Sequence, residues 1–158
     1  MSKAPVDYLL QLADNAVVLG QRNAEWCGHG PILEEDIALA NVSLDLIGQA
    51  RLLYQLAAAR IGGDATEDKL AYFRDPAEFR NYTLVELPNH GALVGYAAAD
   101  MDYATTIVRN FLYSALMALQ WEALANSADE ELAAIAAKSL KETRYHLHHA
   151  ADWVVRFG

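Results

Sequence analysis

The sequence contains very little cysteine and no concentration of positive charge. Cys27 is its only cysteine, so an internal disulfide is excluded. The 12 lysines and arginines are scattered among 21 aspartates and glutamates, which gives a formal net charge of -9. Nucleic acids and anionic membrane surfaces are bound through clustered lysine and arginine, because these residues attract phosphate groups. Neither kind of partner is therefore expected.

Long hydrophobic runs are also missing. Polar residues interrupt every apolar stretch before it reaches the roughly 20 residues that span a bilayer. The N-terminal MSKAPVDYLL has neither the apolar core nor the cleavage site of a signal peptide. These absences predict a cytoplasmic protein. A length of 158 residues is typical of one domain with a substantial core, so residues 1–158 are predicted to form a single domain.

The pattern of apolar residues is helical. Alanine, leucine, glutamine, glutamate and arginine fill long segments whose apolar positions recur three and four residues apart, and this predicts an all-α protein. A first helix is expected over residues 5–26, from a proline to the glycines at 28 and 30. A second helix is expected from residue 33, where three acidic residues suit the positive end of the helix dipole, to the pair Gly62 and Gly63.

The second half of the chain predicts a crossover and another helix pair. Residues 64–91 are irregular and should contain two short helices, one capped by Thr66 and one begun by DPAE at residues 75–78. A third long helix is expected over residues 93–125. SADE at residues 127–130 is interpreted as a capping box formed by Ser127 and Glu130, for a fourth helix ending near Val155. Two antiparallel hairpins joined by one long connection predict a four-helix bundle of ferritin-like topology.

A bundle of this topology can be tested for a di-iron site, which takes a glutamate from each of two helices and a Glu-x-x-His pair from each of the other two. On the fourth helix, Glu142 is followed at i+3 by Tyr145 and only at i+4 by His146. The spacing is thus off by about 100° of rotation. The equivalent position on the second helix is Asp45, which is shorter than glutamate and has no histidine after it. Asp14 is the candidate on the first helix.

Four residues are therefore candidates for the vestige of a metal site: Asp14, Asp45, Glu142 and His146. A functional centre needs four carboxylates and two histidines, and no acidic residue lies at the matching depth of the third helix. The sequence predicts neither a bound metal nor a catalytic residue in this chain. The alternative hypothesis is that these residues bind one or two irons and that the chain activates O₂ itself.

Interior carboxylates without a metal need other partners, because burying an unpaired charge costs free energy. The candidate basic partners are Arg51, Lys138 and Arg144. The spacing of the histidines at positions 146, 148 and 149 scatters their rings, and only His146 aligns with Glu142. They are interpreted as a solvated or satisfied helical face.

Three long stretches resemble a known family: EWCGHGPILEEDIALANVSLDLIGQARLLY, AYFRDPAEFRNYTLVELPN and AAIAAKSLKETRYHLHHAADWVVRFG. They are similar to the C subunits of bacterial phenylacetyl-CoA 1,2-epoxidases, and the likeness covers nearly the whole chain. The resemblance implies a ferritin-like fold, a decayed metal site and a non-catalytic structural role beside a catalytic A subunit that holds the di-iron centre. Other subunits and a reductase are implied as partners through the complex.

Two departures from the family pattern lead to further expectations. Family members usually continue well beyond the fourth helix, so an end at Gly158 is expected to mark a fragment or a shortened form with apolar surface left uncovered. HGALVGYAAADMDYA stands where relatives pass quickly into the third helix, so that helix is expected to start earlier or to carry an extra turn. A homo-oligomeric ferritin-like scaffold that needs no A subunit is a third hypothesis.

Overall fold

All the regular elements of the computed structural model are helical, and the all-α prediction is confirmed. The structure describes residues 2–92, 94–96 and 100–158, and no strand occurs among them. The helices follow in order: α1 (Val6–Ala24), α2 (Leu33–Ile61), α3 (Glu67–Tyr72), a 3-10 helix (Pro76–Glu78), α4 (Thr83–Glu86), α5 (Tyr103–Leu124) and α6 (Glu130–Phe157). In this described part of the chain, no helix is both long enough and apolar enough to cross a membrane.

The four long helices form a bundle whose neighbours are antiparallel. Helix α1 packs along α2, and α5 packs along α6. Across the bundle, Gln120 of α5 bonds Tyr8 of α1 at 2.8 Å, whereas Thr106 accepts from Trp26, just beyond the other end of α1, at 3.0 Å. Because α1 is antiparallel to both α2 and α5, these two helices run parallel and need a long crossover between them. This is the predicted ferritin-like arrangement.

The crossover runs along the outside of α1. The Arg80 amide donates to Asp14 at 2.9 Å, and the Tyr82 amide donates to the side chain of Asn15 at 2.7 Å. Helix α1 is therefore enclosed by α2, α5 and the crossover. Thr66 caps α3 as predicted, by accepting a hydrogen bond from the Lys69 amide at 3.2 Å. DPAE forms the 3-10 helix, in which the amide of Asp75 donates to the Glu78 side chain at 2.7 Å.

Two predicted helix starts were wrong. Helix α6 is capped by Asp129, whose carboxylate accepts from the Leu132 amide at 3.4 Å, while Ser127 accepts from the Asp129 amide at 3.1 Å. Aspartate is as good an N-cap as serine, and here it has the further partners described below. Helix α5 starts at Tyr103 after the N-cap Asp102. The predicted start at residue 93 lies outside the described residues, but residues 100–102 are not helical.

The core lies between the four long helices and under α3 and α4. Its largest fully buried side chains include Trp121, Tyr54, Leu12, Leu53 and Met117. Two stripes of apolar residues remain exposed on opposite corners of the bundle. The α2 outer face consists of Leu33, Ile37, Leu44 and Ile47, and the α5 outer face of Val108, Leu112, Leu116 and Leu119. Both faces keep the helical spacing of a core stripe but have no covering element in the described part of the chain.

Candidate functional site

Asp14 is completely buried in α1, and it is neutralised by an arginine of the crossover. Its carboxylate forms an ion pair with Arg74 through both oxygens. It also accepts from the Tyr54 hydroxyl at 2.5 Å and from the Arg80 amide at 2.9 Å. Burial, followed by the hydrogen bond to Asp14, raises the pKa of the Tyr54 phenol above its ordinary value. The carboxylate lone pairs that could bind a metal are therefore already used as hydrogen-bond acceptors.

Asp45 and His146 join α2 to α6. The Nε2 atom of His146 lies 2.9 Å from the Oδ2 atom of Asp45, and the ring donates because the carboxylate can only accept. The His146 side chain is 4% exposed and that of Asp45 is 38% exposed. Burial lowers the pKa of His146, and the attraction of Asp45 offsets this only in part. His146 is therefore a neutral hydrogen-bond donor at neutral pH.

Glu142 lies next to this pair but has a different partner. Its carboxylate accepts from the side-chain amide of Gln49 on α2 at 3.0 Å, and Lys138 is 3.7 Å away. Lys138 was a predicted partner, but the other two candidates were wrong. Arg51 pairs with Glu67 of α3 at 3.3 Å, and Arg144 pairs with Glu122 of α5 at 3.5 Å. Both arginines are exposed and bind acids on the rim of the bundle instead of its interior.

The four vestigial-site candidates are therefore not brought together as one centre. Asp14 faces the crossover, whereas Asp45, Glu142 and His146 lie between α2 and α6, where each is bound to a protein side chain. Among the described residues, no three or more His, Cys, Asp and Glu side chains are arranged to hold a metal ion. This donor set does not fit the carboxylate-rich di-iron site of the ferritin-like fold.

A second carboxylate–histidine pair was missed by the sequence reasoning. The Nε2 atom of His149 lies 2.7 Å from Glu35 of α2, and the Tyr103 hydroxyl donates to the same oxygen at 2.5 Å. Tyr103 packs edge-to-face between Trp26 and Trp153, with ring centroids 5.5 and 5.3 Å away. Burial acts to raise the pKa of Glu35, but the hydrogen bonds from Tyr103 and His149 outweigh it and lower the pKa.

The sequence interpretation assigned Glu35 only to the dipole of α2. No local pattern signals this cluster, because it depends on three helix ends meeting at one end of the bundle. His148 differs from its neighbours: its side chain is 77% exposed and lies 3.5 Å from Asp152 on its own helix. The histidine group is thus satisfied at 146 and 149 and solvated at 148.

Replacement of Glu142 by glutamine should cost little stability. The side chain is 24% exposed, and glutamine can still accept the hydrogen bond from Gln49. We expect a loss of at most about 1 kcal/mol in the free energy of unfolding, which is typical of a partly exposed polar pair. Urea unfolding of the wild type and Glu142→Gln measures this. A loss above about 3 kcal/mol would instead indicate a buried ion pair.

The stability of the α2–α6 contact should depend on pH through His146. The folded protein resists protonation of this ring, whereas the unfolded chain takes up the proton near the ordinary pKa of 6.5. The stability that the neutral His146 ring contributes is therefore complete above pH 6.5 and is lost as the pH falls below this value. Unfolding free energies at about pH 7.5 and about pH 5.5 should differ less for His146→Gln than for the wild type. The solvated His148→Gln is the matched control and should behave as the wild type.

The similarity of the chain to known proteins shows what class of protein it is. It belongs to the family described as Phenylacetic acid catabolic protein, whose model matches residues 1–158. The resemblance seen in motifs such as LDLIGQAR is thereby confirmed. The chain is 45% identical over 151 residues to the C subunit of 1,2-phenylacetyl-CoA epoxidase from Escherichia coli (strain K12). The match covers 96% of the chain and 56% of that protein, so the chain spans little more than half of its relative's length.

Proposed function

We propose that this chain is a non-catalytic structural subunit of a phenylacetyl-CoA 1,2-epoxidase complex that acts in aerobic phenylacetate catabolism in the cytoplasm. Its partner is the catalytic A subunit, which holds the di-iron centre, and electrons reach that centre from a reductase. The similarity to the C subunit of the Escherichia coli epoxidase supports the assignment to this complex. The chemistry takes place in the partner, and no cofactor is bound by this chain.

The main support for the non-catalytic role comes from the contacts of Asp14. The carboxylate is fully buried and already accepts from Arg74, Tyr54 and the Arg80 amide. A metal at this position would have to displace a guanidinium that compensates a buried negative charge, which is costly. The other candidate ligands are likewise engaged with protein side chains, in pairs between α2 and α6.

The α2 outer face is the surface best suited to hold the A subunit. The crossover packs along α1 and contacts α2 through α3, but it leaves the α2 outer face exposed. Leu33 and Leu44 are 72% and 67% exposed on this face. Contiguous apolar surface of this kind is typical of protein contacts, and obligate interfaces usually bury more than about 2,000 Å².

Gly48 is a second reason to place the contact with the A subunit on α2. It lies within α2, where glycine is less stable than alanine by about 0.5–1 kcal/mol. A Cβ added at this position would meet no atom of the described residues within 4 Å, so packing among them does not require a glycine. A glycine would be required if the backbone or side chains of another protein came close to this position.

Co-expression with the A subunit of the Escherichia coli epoxidase tests the proposal. We expect the two chains to co-elute in size-exclusion chromatography, and this chain purified alone from iron-rich medium to contain no stoichiometric iron. Leu44→Asp should abolish co-elution because it places a charge in an apolar interface. Leu119→Asp on the α5 outer face is the matched control and should leave the complex intact.

Other outcomes favour the alternative hypotheses. Near-stoichiometric iron in the isolated chain would support an oxygenase that activates O₂ itself. A stable homo-oligomer that ignores the A subunit would support a ferritin-like scaffold. Co-elution that survives Leu44→Asp but is lost in Leu119→Asp would keep the structural role and move the interface to α5.

A further inference from the structure

Arg109 of α5 is a buried cation that has no carboxylate partner among the described residues. The residue is only 2% exposed. The guanidinium donates to the Leu87 carbonyl at 2.7 Å, to Asn89 Oδ1 at 2.8 Å and to Asn23 Oδ1 at 3.2 Å. All three acceptors are neutral. By contrast, Arg60 and Arg74, the other well-buried arginines, each form an ion pair with a buried aspartate.

The charge on Arg109 persists in this environment. Burial, followed by repulsion from Arg22, lowers its pKa to about 10, and Glu25 acts against this from a distance. The group is therefore still protonated at neutral pH. Glu25 does not neutralise it directly, because its carboxylate is bound to Arg22 at 2.9 Å and to the Asn89 side-chain amide at 2.8 Å.

Two buried donors in this network also lack an acceptor in the part of the chain that the structure describes. They are Nε of Arg109 and Nδ2 of Asn23, the residue whose Oδ1 atom accepts from Arg109. Buried donors are nearly always paired, because an unpaired one has lost its hydrogen bonds to water without a replacement. An unpaired cation and unpaired donors in one place are what an anion would satisfy.

A groove of about 360 Å³ adjoins Arg109. It lies between α5 and the segment around α4, and it is within the range of volumes of small-molecule sites. Apart from Arg109, its lining side chains are largely apolar: Leu84, Leu87, Ala104, Thr105, Val108 and Leu112. The single polar member of this set, Thr105, already donates to Asp102 at 3.0 Å. Among the described residues, no acidic side chain lines the groove and competes with an anion for the guanidinium.

We propose that this groove binds a monocarboxylate with an apolar tail. The carboxylate is held by the buried donors of Arg109, and the tail lies along Val108 and Leu112. One negative charge matches the single unpaired guanidinium, whereas a multiply charged anion would be desolvated without compensation. The site is distinct from the α2 outer face and does not depend on the proposed role in an epoxidase complex.

Calorimetric titration of the whole chain with octanoate tests the site. Octanamide has the same tail without the charge, and acetate has the charge without the tail. Because a hydrogen bond to a charged group is worth about 1.5–3 kcal/mol, octanoate should bind at least about tenfold more tightly than octanamide. It should also bind more tightly than acetate, which cannot use the apolar groove.

Variants on α5 locate the binding. Val108→Trp should fill the groove and weaken octanoate binding by at least about tenfold, and Val108 is 42% exposed, so the fold should tolerate the change. Leu119→Trp on the same helix, outside the groove, should bind octanoate as the wild type does. Absence of saturable octanoate binding, equal affinity for octanamide, or unchanged binding by Val108→Trp would each overturn the proposal.

Discussion

Replacement of Arg74 by methionine should lower the free energy of unfolding by about 3–5 kcal/mol, because the carboxylate of Asp14 would be left buried without its cation. Asp14 is completely buried and the Arg74 side chain is 10% exposed. Methionine retains much of the aliphatic stem, so the lost term is mainly electrostatic. A domain of this size is stable by only about 5–15 kcal/mol. Urea unfolding monitored by circular dichroism measures the change.

The matched control for Arg74→Met is the double variant Asp14→Asn with Arg74→Met. Removal of both charges eliminates the uncompensated carboxylate, and the asparagine can still bond Tyr54 and the Arg80 amide. We therefore expect the double variant to be more stable than Arg74→Met alone, since removing one partner of a buried ion pair costs more free energy than removing both. If the two changes were simply additive, Asp14 and Arg74 would not interact as a buried pair.

Asp129→Ala should also destabilise the protein by about 3–5 kcal/mol, because it leaves Arg60 without its buried partner. Asp129 is the N-cap of α6, and it also accepts from the Ala4 amide at 2.7 Å and from Arg60 at 2.7–2.8 Å. One carboxylate thus joins the N-terminal segment, the last turn of α2 and the first turn of α6. Thermal and urea unfolding of Asp129→Ala provide the measurement.

Acid unfolding gives an independent test of the same group. The hydrogen bond from Arg60 lowers the pKa of Asp129 below its ordinary value of 3.8. The stability that it contributes is therefore complete above pH 3.8 and is lost as the pH falls through the lower pKa of the folded state. Glu131→Ala is the control: Glu131 is a 60% exposed partner of Arg60, and its loss should cost only about 0–1 kcal/mol. Equal losses in the two variants would contradict the role of Asp129.

The sequence was sufficient to predict the long helices and their topology. Helical periodicity and glycine-rich ends placed α1 and α2 to within about two residues, a normal uncertainty at helix ends. The long irregular stretch before α5 then required a crossover. Both features depend on local signals, namely periodicity and loop length, which a single sequence contains.

The partners of the buried acids could not be predicted in the same way. Counting residues back from the turn between the first two helices places Asp14 level with Asp45, and this is wrong. Gly20 of α1 lies against Leu46 and Ile47 of α2, whereas Asp14 bonds Tyr54. The count also does not say that Asp14 faces the crossover while Asp45 faces α6. Arg74 lies sixty positions after Asp14, in a segment without helical periodicity, so only the folded path of the crossover brings them together. The flanking arginines of FRDPAEFR were the available signal.

The N-cap of α6 was predicted wrongly for a related reason. Serine and aspartate are nearly equivalent N-caps in isolation, so SADE alone cannot distinguish Ser127 from Asp129. Arg60 and the Ala4 amide, which belong to distant parts of the chain, bind Asp129 and so favour it as the cap. Tertiary contacts of this kind also assembled the cluster of Glu35, His149 and Tyr103.

The enclosure of Asp14 by the crossover bears on how a nascent chain emerging from the ribosome can acquire its structure. When only the first two helices have been synthesised, the segment that covers Asp14 is still inside the exit tunnel, so the carboxylate faces water. Residues 74–80 then supply both the cover and the cation. We therefore expect that this charge is never buried before its partner arrives.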